Sequence, residues 1–460
     1  MRSPATSSRT KGPWNISDAG PKFGSTKLAT VIVRAALMLA LLSALVLIAA
    51  LPSQAQIETV FYSFCSQPNC ADGAEPIGNL VMDAQGNVYG TTEYGGVQSC
   101  GYSGCGTLFK LTPSGSETVL HNFHRGMGSY PGGSLIFDAK GNLYGTTFGI
   151  DYVGLYGSNF FGSVFKLEKR SYRFLARFTA KNQEEGAKPS PGLLLDAQGN
   201  VYGTTSYGGA NPCAELGVIY GCGTVFKLTS SGTETVLYNF AGGADAKNPN
   251  GSLIVDSAGS LYGTSDLGGV GRCTLETEGC GTVFKVTSGG TETVLYTFTG
   301  GVDGARPSGG LVMDDQGNLY GTTPWGGTGC GGVGCGTVFK VTPDGTETVL
   351  HNFAGGTDGS TPSAGLVRDG QGNLYGTTAL GGGTGCYEGA GCGTVFEVTA
   401  GGAYSVLYRF TGGADGAVPF GGLVLDVQGN FYGTTIAGGV GGCSSYGGVA
   451  GCGVVFKVTP

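Results

Sequence analysis

The sequence is short of charge and has few histidines. Charged residues make up 12% of the chain, and the formal net charge is −7. Because Asp and Glu outnumber Lys and Arg by 32 to 25, the chain has no basic excess that would attract nucleic acid or an anionic membrane surface. Apolar residues make up 40%, which is typical of a folded chain and argues against a disordered one.

Familiar catalytic motifs are missing as well. None of the three histidines, His121, His124 and His351, lies in a pattern that suggests a Ser-His-Asp triad, and no nucleophile-elbow sequence accompanies them. No Gly-rich phosphate-binding motif precedes a predicted helix, so the many Gly-Gly pairs indicate loops. The sequence therefore assigns no catalytic residue.

Glycine is the residue that the chain has in excess. It accounts for 91 of 460 residues, against roughly 7% in ordinary usage. No Gly-X-Y period is present, which excludes a collagen-like chain. A glycine-rich sequence that contains aromatic residues and has no helical periodicity favours many short strands joined by tight turns.

A motif of the form GNLYGTT, found at 317–323, occurs seven times with small changes. Its tyrosine recurs every 55 to 60 residues, at Tyr89, Tyr144, Tyr202, Tyr262, Tyr320, Tyr375 and Tyr432. A tandem array folds as one unit whatever its length. We therefore predict a single domain over residues 57–460.

One period contains four predicted strands, at 310–314, 318–323, 336–342 and 346–353. Tight turns rich in Gly join the first two strands and the last two, and a variable loop joins the second strand to the third. Four short strands per period, without a helical segment, are typical of a β-propeller blade. We call these strands A to D and name the loops after the strands they join.

The two ends of the repeat region complement each other. The strand at 58–64 is a strand D with no A to C before it, and the strand at 453–459 is a strand C with no D after it. Pairing of the two would close a ring, whereas a solenoid would need capping ends. We therefore predict an all-β, seven-bladed β-propeller of four-stranded blades, with a β-solenoid and an eight-bladed ring as the alternatives.

The N-terminus has the pattern of an export signal. Residues 35–51 are apolar or small and carry no charge, Lys27 and Arg34 precede them, and a small-x-small pattern at 53–55 permits cleavage after Ala55. We predict a signal peptide over residues 1–55, with its hydrophobic region at 35–51. An uncleaved anchor helix is the alternative. Either form places the repeats outside the cytoplasm, in a secreted or periplasmic protein.

Fourteen cysteines fall into seven closely spaced pairs, six of which bracket a B–C loop. In an exported chain, an even set of near neighbours predicts local disulfides. A zinc site would need four ligands that converge, whereas these pairs lie on different blades. The predicted disulfide cysteines are Cys65 and Cys70, Cys100 and Cys105, Cys213 and Cys222, Cys273 and Cys280, Cys330 and Cys335, Cys386 and Cys392, and Cys443 and Cys452.

The B–C loops and D–A connections form the candidate ligand face, because variable loops on a rigid scaffold carry function. A D-G-x-x-P pattern in the D–A connections supplies the acidic residues Asp72, Glu185, Asp245, Asp303, Asp358 and Asp415. These could ring the channel mouth and hold calcium, or they could make turns. Three aromatic residues, Tyr94, Tyr207 and Trp325, occupy one equivalent position, where they could stack on a ligand or pack under the loop.

Two further patterns predict contacts within each blade. An aspartate ends strand A in every repeat, as Asp314 does before the turn at 315–318, and we expect it to cap that turn. Lys340 and Glu347 lie seven residues apart across the C–D turn, and most other repeats match them. We expect such residues to be cross-strand ion-pair neighbours.

Together, GNLYGTT, GCGTVFKVT and SGTETVLYNF resemble the repeat of the bacterial "choice-of-anchor tandem repeat GloVer-containing" proteins. The resemblance covers about residues 57–460. It implies an exported repeat protein, and it supplies no catalytic residue. Members of this family differ in their C-terminal anchoring signals, whereas this sequence ends at Pro460 directly after a strand. We therefore expect a free protein.

The expected function is that of an exported, non-enzymatic propeller, a monomer that binds an extracellular glycan or protein. Nucleic acid is not an expected partner, and a membrane is one only if the N-terminal segment stays uncleaved. No cofactor is expected, with calcium as the alternative. The alternative function is that of a secreted propeller enzyme that acts on carbohydrates or lactones, with or without a cation.

Overall fold

A computed structural model describes residues 57–459 except for short gaps at 98–99, 101–103, 125–127, 150–159, 170, 180–185, 216–217, 220, 271–272, 274–277 and 444–447. These residues belong to one compact unit that spans 56–460. The predicted signal peptide lies outside the described residues and stays a prediction.

Strands account for nearly all of the regular structure. Two 3₁₀ turns, Pro68–Cys70 and Tyr387–Gly389, are the helical segments of the described chain. In chain order the strands are β1 (Ile57–Ser63), β2 (Ala74–Met82), β3 (Val88–Tyr94), β4 (Thr107–Leu111), β5 (Glu117–Asn122), β6 (Ile136–Phe137), β7 (Leu143–Thr147), β8 (Phe160–Glu168), β9 (Ser171–Thr179), β10 (Gly186–Pro189), β11 (Leu194–Leu195), β12 (Val201–Gly208), β13 (Ala214–Glu215), β14 (Val218–Ile219), β15 (Thr224–Leu228), β16 (Glu234–Asn239), β17 (Ala246–Pro249), β18 (Ile254–Val255), β19 (Leu261–Gly268), β20 (Thr282–Val286), β21 (Glu292–Thr297), β22 (Val312–Met313), β23 (Leu319–Thr323), β24 (Thr337–Val341), β25 (Glu347–Asn352), β26 (Val367–Arg368), β27 (Leu374–Thr378), β28 (Thr394–Val398), β29 (Tyr404–Arg409), β30 (Val424–Leu425), β31 (Phe431–Thr435) and β32 (Val454–Thr459).

These strands form seven antiparallel sheets that are the blades of a seven-bladed β-propeller, as the sequence predicts. Blade 1 is β2–β5, blade 2 is β6–β9, blade 5 is β22–β25 and blade 6 is β26–β29. In blades 3 and 4, strand A is split into two segments, so these blades run from β10 to β16 and from β17 to β21. The small hairpin β13–β14 belongs to the B–C loop of blade 3.

Blade 7 closes the ring with a strand from the other end of the chain. It contains β30–β32, and β1 adds the fourth strand by pairing antiparallel with β32, from Ile57 opposite Thr459 to Ser63 opposite Val454. This confirms the predicted closure and excludes the solenoid and the eight-bladed ring. Each blade therefore has a neighbour on both sides, and the sheet faces are buried between blades.

The aspartate at the end of strand A organises the A–B turn. In blade 5, the carboxylate of Asp314 accepts hydrogen bonds from the backbone N–H groups of Gln316 and Asn318 at 2.9 and 2.8 Å, and from the Asn318 amide at 2.7 Å. The Tyr320 hydroxyl donates to the same carboxylate at 2.9 Å. Burial opposes ionisation of Asp314, but these donors outweigh it and lower its pKa. The predicted turn-capping role is confirmed.

The glycine of GNLYGTT is required by close packing within the blade. Gly321 on strand B lies opposite Phe339 on strand C, whose ring is fully buried. A Cβ at Gly321 would lie 2.6 Å from the Cζ of Phe339 and 3.0 Å from a methyl carbon of Leu311. The same glycine–phenylalanine contact recurs in all seven blades. The glycine thus lets the ring cover the strand.

The predicted Lys–Glu pairing across the C–D hairpin is wrong. Lys340 lies opposite Thr348, and Glu347 lies opposite Val341. The turn has three residues, 343–345, with Gly345 at φ 85°, so the register differs by one residue from that of a two-residue turn. Because neighbouring strand positions face opposite sides, Lys and Glu separate.

Each side chain of that predicted pair has another environment. The Nζ of Lys340 lies 5.9 Å from the centroid of the Tyr320 ring. The Oε1 atom of Glu347 is buried and accepts no hydrogen bond from the described residues. Burial, followed by the charge of Asp303, raises the pKa of Glu347 to about 7. Glu117 and Glu292 are equivalent, with the pKa of each also raised to about 7.

We expect Gly321→Ala to destabilise the propeller, because the added methyl group collides with Phe339 in a closely packed core. Overpacking of this kind costs about 1–3 kcal/mol, measured as the free energy of unfolding in urea. Gly370→Ala is the control, since nothing lies within 4 Å of a Cβ there. Equal stability of the two variants would contradict the packing argument.

We expect Glu347→Gln to stabilise the protein at pH 8 and to have no effect near pH 4.5. The folded-state pKa of Glu347, about 7, lies above the usual glutamate pKa of 4.5. Its contribution to stability is therefore full below the unfolded pKa and is lost as the pH rises through 7.

Thermal unfolding at both pH values checks this prediction, and a rise of a few degrees in Tm is expected at pH 8 only. Glu388→Gln, at an exposed position, is the control and should change Tm at neither pH. A Tm for Glu347→Gln that equals the wild-type value at pH 8 would show that the glutamate is not destabilised when ionised.

Candidate functional site

Each D–A connection ends in a proline, and the residue before that proline differs in every blade. All seven of these residues have a left-handed backbone, with φ between 53° and 60°. We call them the pre-proline residues: Glu75, Tyr130, Lys188, Asn248, Arg306, Thr361 and Val418. A residue before proline normally prefers an extended backbone, so this conformation is strained. Strained residues of this kind concentrate at functional sites.

Among the described residues, hydrogen bonds to the preceding blade hold six of the seven pre-proline residues in place, the exception being Lys188. The N–H of Asn248 donates to the carbonyl of Cys222 at 3.0 Å, and the N–H of Arg306 donates to that of Cys280 at 2.7 Å. Four further blades repeat this bond to the second cysteine of a disulfide. The disulfide-closed B–C loop of one blade thus positions the pre-proline residue of the next.

The proline itself fits against a glycine of the preceding blade. A Cβ on Gly336, which has a φ of 92°, would lie 2.7 Å from the Cδ of Pro362. This contact recurs between every pair of neighbouring blades, including blades 7 and 1. The second glycine of the Gly-Cys-Gly motif is therefore needed for the approach of the next blade.

A cavity of about 610 Å³ is lined by residues from all seven blades, which places it on the ring axis. Its wall combines D–A connections with the first residues of the B–C loops, so the two segments share a face as predicted. Its volume falls within the roughly 300–1,000 Å³ of small-molecule sites. Four pre-proline residues are among its described lining: Lys188, Asn248, Arg306 and Thr361.

The charged residues of this cavity give it a positive balance. Among the described lining residues, Lys188 and Arg306 are cationic and Asp266 is anionic. Arg306 and Asp266 pair at 3.0 Å across the boundary between blades 5 and 4. Lys188 forms no ion pair with a described residue, and its Nζ lies 5.9 and 5.6 Å from the ring centroids of Phe148 and Tyr207. Within the described lining, one positive charge thus has no paired carboxylate, in a chain of net charge −7.

Asn248 contributes a buried acceptor to the cavity wall. Its exposed fraction is 8%, and its Oδ1 is buried and accepts no hydrogen bond from the described residues. A buried polar atom without a partner costs about 1–3 kcal/mol. A ligand with an O–H or N–H group would remove this cost only after a rotation of the Asn248 side chain that brings Oδ1 to the cavity.

Two of the three predicted aromatic residues line the cavity. Tyr207 and Trp325 do so, and 37% of the Trp325 side chain is exposed. A backbone bond from Ala305 to the Trp325 carbonyl, at 2.8 Å, places the tryptophan beside Arg306. Tyr94 is absent from the described lining and packs edge-on against Tyr130, with the ring centroids 5.6 Å apart.

The predicted carboxylates of the D–A connections are not brought together at this cavity. Asp303 accepts hydrogen bonds from the Tyr296 hydroxyl at 3.1 Å and from the backbone N–H and hydroxyl of Thr299 at 2.8 and 2.6 Å. Similar contacts within the connection engage the other described members, Asp72, Asp245, Asp358 and Asp415. Glu185 lies outside the described residues. These contacts favour the turn interpretation over a carboxylate ring.

The acidic pre-proline residue of blade 1 makes the ring of pre-proline residues asymmetric. Burial, followed by the charge of Glu93, raises the pKa of Glu75 to about 7. Burial also raises the pKa of Glu93. Basic residues stand at the equivalent position in blades 3 and 5. Sequence reasoning missed this set, although the variation before an invariant proline marks it.

All seven predicted disulfides are present, and none of the fourteen cysteines is free. The expectation that the pairs stay apart fails at one point. Ring closure brings Cys65 and Cys70 beside Cys443 and Cys452, with the four sulfur atoms within 4.8 Å of one another. Both pairs are oxidised, so these sulfurs are not the thiolates that zinc requires.

The disulfides fit an extracellular protein, because such bonds persist in oxidising compartments. Among the described residues, no helix has the length and apolar character to cross a membrane.

The solved structures that match this chain are distant in sequence. The extracellular domain of a protein described as a one component system of B. thetaiotaomicron matches with 9% identity and a TM-score of 0.50, over 88% of this chain and 40% of that chain. A gluconolactonase from Xanthomonas campestris matches with 16% identity and a TM-score of 0.39, over 70% and 85%. A luciferin-regenerating enzyme matches with 12% identity and a TM-score of 0.42, over 88% and 95%.

The match to the extracellular domain supports the propeller fold and nothing further, because its identity is low. A search among curated proteins finds no match.

A family model matches the repeats three times, over residues 51–274, 154–388 and 212–445. The matches overlap and together cover most of the chain. They agree with the resemblance drawn from the repeated motifs, and the chain belongs to the Gloeobacter/Verrucomicrobia repeat family.

Proposed function

We propose that the protein is an exported, non-enzymatic binding protein that takes a small ligand into the axial cavity. The carrying observation is the variation at the pre-proline position. The blades share their turns and core phenylalanines, and six of the seven share a disulfide-closed B–C loop, yet each presents a different side chain there. Variation on one face of a repeated scaffold, here at the pre-proline position and in the B–C loops, is typical of a recognition surface.

The strain at the pre-proline residues supports a binding role. Left-handed backbone at residues other than glycine costs free energy. The inter-blade hydrogen bonds and the proline–glycine contacts hold that backbone in place. A scaffold that fixes side chains in advance reduces the entropy lost when a ligand binds.

Binding is favoured over catalysis by the chemistry of the lining. Among the described lining residues, the carboxylate is that of Asp266, and Arg306 already pairs with it. Hydrolysis of a sugar bond commonly requires two carboxylates that face each other across the scissile bond. A sugar- or lactone-active enzyme therefore has less support than a binding protein.

We expect Trp325→Ala to weaken ligand binding about fivefold, since removal of an exposed aromatic ring loses stacking worth roughly 1 kcal/mol. A glycan array on mature protein would identify ligands, and calorimetry would then measure Kd for each variant. The matched control is Tyr94→Ala, which removes the aromatic residue at the equivalent position of blade 1, away from the cavity.

Two results would contradict this proposal. The first is a ligand whose affinity is the same for wild type, Trp325→Ala and Tyr94→Ala, because it would bind elsewhere. The second is an array on which folded, mature protein binds nothing.

A further inference from the structure

We propose that the ligand of the axial cavity is a saccharide that carries an anionic group, and that Lys188 binds this group. The proposal rests on the proposed function and names the ligand class of the same site. Three features of the described lining carry it: a cation, Lys188, that forms no ion pair with a described residue, a buried acceptor, Asn248 Oδ1, that has no described donor, and aromatic walls.

The position of Lys188 allows it to bind an anionic group of a ligand. Lys188 is exposed and lies in a D–A connection that lines the cavity. Its backbone is left-handed, and it forms no ion pair with a described residue. Phe148 of blade 2 and Tyr207 of blade 3 hold its Nζ at cation–π distances. These rings neutralise no charge, so the ammonium group keeps its ability to bind a carboxylate or sulfate.

The other cation of the described lining, Arg306, is already paired, which supports Lys188 as the residue that binds the anion. Arg306 is paired with Asp266, so this pair adds no net charge to the cavity. The balance of the described lining therefore equals the single charge of Lys188. One anionic group per binding site is the complement of this arrangement.

The buried acceptor calls for hydroxyl groups on the ligand. Asn248 is the pre-proline residue of blade 4, between Lys188 of blade 3 and Arg306 of blade 5. Asn248 lines the cavity, but its Oδ1 is buried without a donor from the described residues, so a rotation of the side chain is needed to present it to a ligand. A saccharide offers hydroxyl donors on the same ring that carries its acidic group. A flat aromatic acid offers a carboxylate but lacks such donors.

The aromatic residues supply the surfaces on which a sugar ring can lie. Tyr207 and Phe148 flank the lysine, and Trp325 stands in blade 5 beside Arg306. Amphipathic rings of this kind combine apolar faces with polar edges. The ligand class that satisfies the cation, the acceptor and the rings together is an acidic saccharide.

Calorimetry on the mature protein tests this with matched disaccharides: neutral galactobiose, digalacturonate and a sulfated galactobiose. We expect the acidic sugars to bind at least tenfold more tightly than the neutral one. Lys188→Gln should remove this preference, so that the acidic and the neutral sugars bind with similar affinity. A higher salt concentration should weaken the binding of the acidic sugars and not that of galactobiose. The carboxylated and sulfated arms show which anion the site prefers, and preference for either supports the proposal.

Further variants separate charge from folding. Lys188→Arg keeps the positive charge and should retain the preference for acidic sugars. Asn248→Asp keeps the shape of the side chain but adds a negative charge, and it should weaken the binding of acidic sugars at least tenfold. Lys227→Gln removes a charge that stacks on Tyr202, away from the described lining, and should change nothing. The Tm of each variant confirms folding.

Equal affinity of wild type for neutral and acidic sugars would overturn the ligand class and leave the proposed binding function standing. Binding of no sugar, or binding that Trp325→Ala does not weaken, would overturn both.

Discussion

The hydrogen bond between a pre-proline residue and the second cysteine of the preceding blade connects the scaffold of this protein to its cavity. It runs from Asn248 to Cys222, from Arg306 to Cys280, and at the equivalent place in four other blades. An isolated chain would disfavour the left-handed backbone that this bond requires. The conformation persists because the proline of one blade is fitted against a glycine of its neighbour. Each candidate binding residue is therefore positioned by the blade before it.

Ring closure makes this arrangement continuous. Glu75, the first pre-proline residue, donates its N–H to Cys452 near the other end of the chain at 2.8 Å. Strands β1 and β32 hold these two regions together. Since every blade packs against its neighbours, contacts all around the ring hold the residues that line the cavity in place. Local disulfides then have a role beyond loop stability, because they fix the carbonyl groups that orient the pre-proline residues.

Much of the fold could be predicted because its signals are local and repeated. The tyrosine spacing gives seven blades, the unpaired terminal strands indicate closure, and Asp314 and Asn318 mark a turn by their chemistry. The Lys340–Glu347 prediction failed for an equally local reason. A three-residue turn differs from a two-residue turn by one position, and one position reverses the face of a side chain.

The candidate site was harder to predict, because contacts between blades determine it. Tyr207 and Trp325 could be identified as aromatic residues at a repeated loop position. The aspartates of the D–A connections looked equally suitable, but hydroxyl and backbone donors of their own blades engage them. The residues before the prolines went unnoticed, since a left-handed conformation there contradicts local preference. Lys188, Asn248 and Arg306 acquire a shared role only when the ring brings their connections together.

The central claim is that the pre-proline residues bind a ligand inside the axial cavity. Hydrogen–deuterium exchange of the mature protein, with and without digalacturonate, tests this claim most directly. The account predicts slower exchange in peptides that contain residues 186–188, 246–250 and 305–310, with no change at the outer C–D turn at 342–346. Slower exchange confined to the outer strands, with no effect at the three D–A connections, would contradict it.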